Sequence, residues 1–401
     1  MNNQTNKLIP ELRFPEYVDE GEWNEKILDE LGKTISGLSG KSGEDFGTGK
    51  PFVTYKQVFD NAYIDFSKCS RVNIGDHENQ NMLQRGDVLF TTSSETPNEV
   101  GFASVLINSP EEPTYLNSFC FSFRPDNLDK LLPEFSRFLF HSPIYRKSIS
   151  VLAQGSTRYN ISKGSFLNLK LPVPSPNEQK KIADCLSSLD DVITAHADKL
   201  ETLKTYKKGL MQNLFPQEGE KVPKLRFKQF ENDGDWKKKS FDKLFEIGNG
   251  RDYKHLNKGD VPVYGTGGYM LSVDDYLYDG QSACIGRKGT IDKPMFLEGK
   301  FWTVDTLFYT HSFKNCIPKF IFYIFQNIDW KKHNEAGGVP SLSKTNIYKI
   351  EVFSPNPIEQ QKIVDTLSSL DEIIKEQENK IEKLKLHKKG LMQGLFPKVK
   401  K

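Results

Sequence analysis

An internal repeat constrains the fold of this chain more than any other feature of its sequence. Residues 181–216 read KIADCLSSLDDVITAHADKLETLKTYKKGLMQNLFP, and residues 362–397 read KIVDTLSSLDEIIKEQENKIEKLKLHKKGLMQGLFP. The two segments are identical at 22 of 36 positions and align without a gap. Whatever structure the first segment adopts, the second is therefore expected to adopt as well.

A shorter repeat precedes each of these segments. PELRF at 10–14 resembles PKLRF at 223–227, and the same offset aligns Trp23 with Trp236. Between the short and the long repeats, the two sequences differ in length and in residue pattern. The chain is therefore two tandem copies of one frame, and each frame encloses a different insert, at residues 24–170 and 237–351.

Each long repeat carries the start and stop signals of an α-helix. Ser175-Pro176 and Asn356-Pro357 place an N-cap residue before a proline at the first helical position, and a glutamate follows in the first turn of both copies. A cap side chain satisfies a free backbone N–H, and proline has no N–H to lose there. Pro216 and Pro397 end the pattern on the other side. The sequence predicts two long helices.

The apolar residues of both helices recur at alternating intervals of four and three. This mean spacing of about 3.5 residues is typical of a coiled-coil seam. The predicted seam residues are Ile182, Leu186, Leu189, Ile193, Leu200 and Leu203 in the first helix, and Ile363, Leu367, Leu370, Ile374, Ile381 and Leu384 in the second.

Both seams are interrupted at the same two places, by His196 and Lys207 in one copy and by Gln377 and Lys388 in the other. Polar seam residues usually fix register or orientation. We expect the helices to pair with each other in antiparallel orientation, so that residues 182–210 form a spacer of about 42 Å. The alternative is that each helix packs only on its own domain.

Composition limits the possible functions. The chain has 401 residues and a net charge of +2, so any nucleic-acid binding must use local patches. Its five cysteines form no CxxC pair, which favours free thiols in a reducing compartment and argues against a zinc site. There is no apolar stretch of membrane-spanning length and no leader-like N-terminus, so we expect a cytoplasmic protein. No catalytic or metal-ligating constellation is present.

The inserts share a plan despite their different sequences. LPEF at 132–135 and IPKF at 317–320 each lead into an aromatic-rich stretch and then a polar loop containing glycine. Short β-like runs alternate with turn residues elsewhere, so each insert is predicted to be an α+β domain with a mostly antiparallel sheet. The polar loops are TTSSETPN at 91–98, GSTRYNISK at 155–163, GRDYKH at 250–255, YGTGGY at 264–269, IGRKGT at 285–290 and GGVPSLSK at 337–344.

These loops have residues suited to nucleic acid. Small residues let the backbone approach phosphate, arginine can contact guanine with two donors, and asparagine, serine and threonine can reach base edges. The alternative for each loop is a solvated turn. The candidate DNA-contacting residues are Thr91, Thr92, Ser93, Ser94, Thr157, Arg158, Tyr159 and Asn160 in the first insert, and Arg251, Tyr253, Lys254, Tyr264, Thr266, Arg287, Lys288, Thr290, Ser341 and Lys344 in the second.

Taken together, these motifs resemble the specificity (S) subunits of type I restriction–modification systems. The resemblance covers nearly the whole chain and rests on the duplicated PxLRF and tryptophan starts, the helix entries PSPNEQKKI and PNPIEQQKI, and the LSSLD, KKGLMQ and LFP motifs. It implies two target-recognition domains in a pseudo-twofold arrangement, joined by two long antiparallel coiled-coil helices. The implied segments are a first recognition domain at 1–174, a spacer helix at 175–216, a second recognition domain at 217–354 and a second spacer helix at 355–401.

The resemblance also implies a function. Each recognition domain would read one half of a bipartite target in double-stranded DNA, and the helices would serve as spacer and as docking surface. The implied partners are two modification subunits, which would bring S-adenosylmethionine and methylate adenine, and restriction subunits with motor and nuclease activity. The chain itself is then not an enzyme. Two alternatives are a coiled-coil scaffold that binds no DNA and a stand-alone adenine methyltransferase, for which Asn356-Pro357-Ile358-Glu359 is the nearest approach to a base-binding motif.

Overall fold

The computed structural model describes residues 8–155, 158–217 and 219–398. Its contacts divide the chain into two compact units: unit 1 consists of Met1–His196 with Lys380–Lys401, and unit 2 consists of Ala197–Asn379. Each unit thus combines one insert, the beginning of one long helix and the end of the other. The division into four sequence segments stays a prediction.

Unit 1 contains strands and short helices in the order predicted for an α+β domain. Its strands are β1 (Asn24–Ile27), β2 (Gly32–Ser36), β3 (Phe46–Val53), β4 (Ser70–Val72), β5 (Val88–Thr91), β6 (Ser93–Ser94), β7 (Ala103–Val105), β8 (Tyr115–Leu116), β9 (Cys120–Pro125), β10 (Tyr159–Asn160) and β11 (Lys170–Val173). Its helices are α1 (Tyr55–Asp60), α2 (Pro133–Leu139), α3 (Pro143–Ser150) and α4 (Lys163–Leu167), followed by the long helix α5 (Pro176–Leu214).

Unit 2 repeats this plan with a larger share of strand. Its strands are β12 (Lys237–Ser240), β13 (Glu246–Asn249), β14 (Lys258–Gly265), β15 (Gly268–Val273), β16 (Tyr278–Asp279), β17 (Ser282–Gly286), β18 (Met295–Leu297), β19 (Lys300–Thr303), β20 (Leu307–His311) and β21 (Glu351–Ser354). Its helices are α6 (Pro318–Asn327) and α7 (Lys344–Tyr348), followed by the long helix α8 (Pro357–Gly394), whose last part belongs to unit 1.

The first sheet has the same topology in the two units, and the second sheet has one strand more in unit 2 than in unit 1. Unit 1 has one sheet in the order β2-β9-β5-β7, and unit 2 has the corresponding sheet β13-β20-β17-β18. The second sheet is β4-β3-β8 in unit 1 and β15-β14-β19-β16 in unit 2. The pairs β3–β8 and β14–β19 are parallel, and the other pairs among the described strands are antiparallel. The prediction of mostly antiparallel α+β inserts is confirmed.

Both long helices begin as the sequence predicts. The Ser175 hydroxyl accepts a hydrogen bond from the Glu178 N–H at 3.4 Å, and the Asn356 side chain accepts one from the Glu359 N–H at 2.9 Å. Proline occupies the first helical position in both copies. The local cap chemistry therefore determines where each helix starts.

The two glutamates of the helix entries also explain the repeated PxLRF motif. Arg13 donates two hydrogen bonds of 2.8 Å to the Glu178 carboxylate, and Arg226 donates two of 2.9 Å to Glu359. All four side chains are largely buried. The third guanidinium nitrogen of Arg226 reaches the Gly234 carbonyl. Each arginine therefore fixes the chain entering its unit to the start of a long helix.

The repeated LSSLD and KKGLMQ motifs meet each other inside each unit. In unit 1, Asp190 of α5 binds Lys388 of α8 at 2.5 Å, and Arg137 of α2 binds the same carboxylate at 2.7 Å. In unit 2, Asp371 of α8 binds Lys207 of α5 at 2.5 Å. Two of the four polar interruptions of the seam, Lys207 and Lys388, are thus charged partners of the opposite helix, which explains why both motifs occur twice.

The end of each long helix completes the core of a unit that the other helix begins. Phe396, at the end of α8, packs against Trp23 and Phe135 in unit 1, at ring distances of 5.8 and 5.7 Å. Phe215, at the end of α5, packs in the same way against Trp236 and Phe320 in unit 2. The pairing of both helices in one coiled coil stays a prediction. Six of the twelve predicted seam residues are buried, namely Ile182, Leu186, Ile363, Leu367, Leu370 and Ile381.

Candidate nucleic-acid interface

A tight turn at the end of β17 presents two cations in unit 2. At Gly286 a Cβ atom would lie 2.1 Å from the Thr290 carbonyl oxygen, so only glycine fits there. Gly289 has φ +93°, a conformation that glycine adopts without strain. Between these glycines, Arg287 and Lys288 are exposed. The turn therefore holds both side chains outward on a backbone with little freedom to move.

The segment before α7 pairs with this turn. Leu342 N–H donates to the Arg287 carbonyl at 2.8 Å, Gly289 N–H donates to the Pro340 carbonyl at 2.8 Å, and Lys288 forms an isolated antiparallel bridge with Ser341. We call this paired arrangement, residues 286–290 with 340–342, the unit 2 clasp. Two loops that are 50 residues apart in sequence are thus brought together, as the prediction of a shared site requires.

The hairpin between β14 and β15 lies beside the clasp. Its tip carries the predicted residue Thr266, whose hydroxyl would be 3.8 Å from a Cβ atom at Gly289. Tyr269 and Met270, just beyond the tip, are exposed at 63% and 49%. Such large exposed side chains at a hairpin tip can contact a surface without any rearrangement of the core.

A cleft of 680 Å³ opens beside the unit 2 clasp, lined by Asn249, Arg287, Lys288, Glu335 and Lys344 among others. Lys344 donates to the Ile247 carbonyl at 2.5 Å. Burial, together with the charge of Arg287, lowers the pKa of Lys344. Three cations face one carboxylate here, so the cleft favours an anionic or electron-rich ligand.

Unit 1 has a clasp of the same construction. Tyr159 and Asn160 of β10 pair with Ser94 and Ser93 of β6. Ile161 N–H donates to the Thr92 carbonyl at 3.0 Å, as Leu342 N–H does to Arg287 in unit 2. The unit 1 clasp is therefore residues 92–94 with 159–161. The matching pairs of residues, unit 1 first, are Thr92 and Arg287, Ser93 and Lys288, Asn160 and Ser341, Ile161 and Leu342, and Lys163 and Lys344.

A turn before the next strand supports each clasp. Thr92 N–H donates to the Phe119 carbonyl at 3.1 Å, and Arg287 N–H donates to the Thr306 carbonyl at 2.7 Å. Each turn is closed by its own hydrogen bond, from Cys120 to Asn117 and from Leu307 to Val304. The same three segments therefore meet in both units, although their sequences share almost nothing.

Three of the predicted residues of unit 1 are buried, and their hydroxyls are used within the protein. Thr91 accepts from the Phe102 N–H, and Ser94 donates to Glu99. Ser93 accepts from the Arg158 Nε at 3.1 Å, and its carbonyl accepts from Tyr55, whose pKa is raised by burial. Their prediction as DNA contacts is untested, but here Ser93 positions Arg158.

The remaining predicted residues are placed as follows. Thr157 lies outside the described residues. Arg158, Asn160, Arg251, Lys254, Arg287 and Lys288 are exposed; Thr92, Tyr159, Tyr253, Tyr264, Thr266, Thr290, Ser341 and Lys344 are half-buried. The Tyr253 ring packs against a small apolar cluster of the β14 sheet, and the Tyr264 ring packs against a cluster formed mainly by β17, β18 and β20. As DNA contacts, all of these residues stay predictions.

The arginines fall into two classes. Six form ion pairs with carboxylates: Arg13, Arg71, Arg85, Arg124, Arg137 and Arg226. Arg146 donates to three backbone carbonyls instead. Among the described residues, no carboxylate lies within 4 Å of Arg158, Arg251 or Arg287. These three arginines, all in predicted DNA-contacting loops, keep donors available for a ligand.

Sequence patterns did not identify one exposed aromatic residue at this site. Phe119 is 58% exposed, and the Arg158 guanidinium carbon lies 5.8 Å from its ring. In an alternating strand it would share the buried face of Phe121 and Phe123, but β9 begins one residue later, at Cys120. Phe119 therefore lies on the supporting turn, and no sequence signal distinguishes that from a strand position.

No group of three or more histidine, cysteine, aspartate or glutamate residues that could hold a metal ion occurs among the described residues. Within the same part of the chain, no helix is both long and apolar enough to cross a membrane. Burial raises the pKa of Cys120, Cys284 and Cys316 to about 12, so these thiols stay protonated. The groups that the described site offers to a ligand are therefore mainly the hydrogen-bond donors of its surface loops.

Comparisons with known proteins agree on one family. A family model described as the type I restriction modification DNA specificity domain matches residues 20–205 and 233–385. The putative type I restriction enzyme MjaX specificity subunit of Methanocaldococcus jannaschii is 24% identical over 94% of this chain and 93% of that protein. The EcoKI specificity subunit of Escherichia coli K12 is 35% identical over 26% of this chain and 21% of that protein.

Two solved structures share the fold. The S subunit of a type I restriction–modification system from M. genitalium has a TM-score of 0.61 and 16% identity, covering 98% of this chain and 100% of that one. A chain from a type I system, studied for its complex assembly and conformational transition, has a TM-score of 0.60 and 13% identity over 93% of this chain and 97% of that one.

Proposed function

The chain belongs to the family of type I restriction–modification DNA specificity domains, and we propose that each of its two units reads one half of a bipartite DNA target through its clasp. As a specificity subunit, the chain supplies recognition and not catalysis. The observation that supports the proposal best is the pair of clasps. The same backbone arrangement carries different side chains in the two units. This is expected if both clasps contact DNA in the same way but recognise different base sequences.

The chemistry of the clasps fits duplex DNA. Exposed Lys288 of the unit 2 clasp, and Arg251 outside the clasp, provide charge for phosphate, while Asn160 and Arg287 have donors suited to base edges. The inserts carry these residues on short loops fixed to a sheet, so each domain can change its target without changing its fold.

The experiment that tests the proposal is a methylation map. The full chain, assembled with its modification subunits, is incubated with genomic DNA, and the methylated adenines are located by sequencing. We expect a split target with two short specific halves. Replacing residues 237–351 with the insert of a relative should change one half and leave the other intact. A hybrid that alters both halves would contradict independent reading.

We further propose that each unit binds one modification subunit, because both units expose the same polar side chains on the long helices. These positions are exposed and identical in the two repeats, although exposed neighbours such as Thr194 and Lys375 differ. The residues are Asp184, Ser188, Lys389 and Gln393 in unit 1, and Lys208, Gln212, Asp365 and Ser369 in unit 2. Among the described residues, the contacts of these side chains differ between the copies: Asp365 accepts a hydrogen bond from Gln361, and Lys180 stands at the position equivalent to Gln361 in the first copy. Those contacts do not account for the identity of the two sets, whereas a partner bound twice would account for it.

Two single charge reversals test this stoichiometry. Asp184→Arg and Asp365→Arg should each give a complex with one modification subunit, and the double variant should bind none, as measured by native mass spectrometry. Thr194→Arg serves as the exposed control and should leave two bound. Full occupancy in the double variant would refute the docking surface. In this proposal the modification subunits hold S-adenosylmethionine, restriction subunits join the same complex, and the complex acts in the cytoplasm.

The two alternatives predict different outcomes. A scaffold that binds no DNA would show no sequence preference even with its partners present. A stand-alone methyltransferase would transfer methyl groups from S-adenosylmethionine to DNA without partners, whereas we expect the isolated chain to transfer none.

A further inference from the structure

We infer that one arginine at each clasp reads a guanine: Arg158, which directly precedes the unit 1 clasp, in the half-site of unit 1, and Arg287 in the half-site of unit 2. The inference rests on the proposed function and adds the chemical identity of one base pair in each half-site. It follows from where the guanidinium groups lie, what holds them, and which of their donors remain unused.

The two arginines come from opposite strands, and the guanidinium group of each lies beside the supporting turn of its own unit. In unit 2 the arginine comes from the turn after β17. In unit 1 the equivalent position is Thr92, which cannot supply a guanidinium, and Arg158 enters from the facing strand, next to β10. The two units therefore supply the same chemical group at the clasp from different positions in the chain.

Each guanidinium is held by two contacts that leave its outer edge available. Arg158 donates through Nε to Ser93 Oγ at 3.1 Å and lies beside the Phe119 ring. Neither of its two terminal nitrogens has a partner among the described residues. Arg287 donates through Nη1 to the Asp305 carbonyl at a long 3.4 Å and lies 5.9 Å from the Phe308 ring centroid. A guanidinium held in this way loses little conformational entropy on binding.

A guanine base fits this arrangement better than a phosphate does. Two parallel N–H donors from a fixed guanidinium match the O6 and N7 acceptors of guanine in the major groove, which is the commonest specific arginine contact. A phosphate can also accept two donors from a guanidinium, but lysine can replace such a contact as a point charge, whereas it cannot reproduce the two-donor contact to guanine. The anchoring by Ser93 and by two aromatic rings restricts the orientation of the guanidinium, and orientation matters for bases far more than for phosphates.

The test uses the full chain assembled with its modification subunits and a DNA library randomised across both half-sites. The wild-type complex should require a guanine in each half. Arg158→Gln should reduce methylation about 5- to 150-fold at targets with that guanine and remove the preference at one base pair of the unit 1 half-site alone. Arg287→Gln should do the same in the other half. Arg71→Gln, an exposed arginine paired with Glu112, is the control and should change neither.

Three outcomes would overturn the inference while leaving the proposed function intact. The first is a wild-type half-site without guanine. The second is Arg158→Lys or Arg287→Lys activity close to wild type, because lysine keeps a phosphate contact but loses the two-donor fork. The third is an equal loss at all sequences. A wild-type complex with no sequence preference at all would instead contradict the proposed function.

Two further measurements distinguish a loss of base recognition from a loss of folding. Replacing the target guanine with 7-deazaguanine removes the N7 acceptor, so it should reduce methylation by the wild type and add little to the loss in Arg158→Gln. Ser93→Ala removes the anchor of the guanidinium, and a positioning role predicts a smaller loss at the same base pair. A loss at any other base pair would contradict that role.

Discussion

The buried ion pair between Arg226 and Glu359 offers a quantitative test of how the frame is held together. In the described structure, the glutamate side chain is fully buried and the arginine is 11% exposed. Glu359 accepts two hydrogen bonds from Arg226 and one of 3.1 Å from the Trp236 indole N–H. Breaking such a pair by removing one partner leaves a buried charge, which costs about 3–5 kcal/mol. We expect Glu359→Met and Arg226→Met each to destabilise unit 2 by that amount.

The double variant should be much less destabilised than the sum of the two single variants. Replacing both charges with apolar groups removes the desolvation penalty as well as the attraction, so the change can be close to neutral. In unit 2 the Trp236 N–H then loses its acceptor, which costs about 1–3 kcal/mol. The equivalent Trp23 N–H of unit 1 has no acceptor in the described structure. The double variant of Arg13 and Glu178 should therefore be better tolerated.

The assay is hydrogen exchange of the full chain followed by mass spectrometry, which reports the free energy of opening for each unit separately. Glu376→Met, an exposed position of α8, is the matched control and should change opening by less than about 0.5 kcal/mol. Single effects no larger than the control, or a double variant as unstable as the sum of the singles, would refute the reasoning.

Three further predictions concern charge, spacing and pH. Lys288→Ala should weaken binding to all sequences and reduce the slope of log affinity against log salt by about 1, and an unchanged slope would place Lys288 in solvent. Inserting about four residues between Ala195 and Leu200 should shift the methylation map to targets with a longer gap, and activity on the original gap alone would show that the helices do not set the spacing. Burial lowers the pKa of His141 from 6.5 to about 4. Below pH 6.5 His141 binds a proton in the unfolded chain but not in the folded chain. The free energy of unfolding should therefore fall by up to about 3 kcal/mol as the pH decreases to 4. Urea unfolding of His141→Leu should show a weaker pH dependence than that of the wild type.

Local chemistry made the long helices predictable. A cap residue, a proline and a glutamate at the start determine each helix boundary within a few residues, so no tertiary information was needed for Ser175-Pro176 or Asn356-Pro357. The charged residues of the seam were also recognisable as register signals. The partners of these charged residues could not be predicted from the sequence. Asp190 and Lys388, for example, are 198 residues apart, and only folding brings them together.

The loops were predictable as a set and less so as individual side chains. The prediction selected residues in polar loops and in loops bounded by glycine. This criterion found Arg158, Arg251 and Arg287, the three arginines that lack carboxylate partners among the described residues. The same criterion selected Thr91, Ser93 and Ser94, which are buried because strand β5 extends into the loop and β10 covers it. Phe119 was not predicted because the sequence FCFSF at 119–123 reads as one alternating strand. In the structure Phe119 lies on a turn before that strand and is exposed.

The crosswise sharing of the long helices has a consequence for synthesis of the chain. Unit 2 is continuous from Ala197 to Asn379, so all of its residues are synthesised before the segment of unit 1 that begins at Lys380. In unit 1, Trp23 packs against Phe396. The core of unit 1 is therefore incomplete until Phe396, which follows α8, has been synthesised. Domains usually fold in the order of translation. Here unit 2 should fold first, and the apolar core of unit 1 should stay incomplete until Phe396 has been synthesised. A released chain truncated after residue 379 should thus show a protease-resistant second unit and a protease-sensitive first.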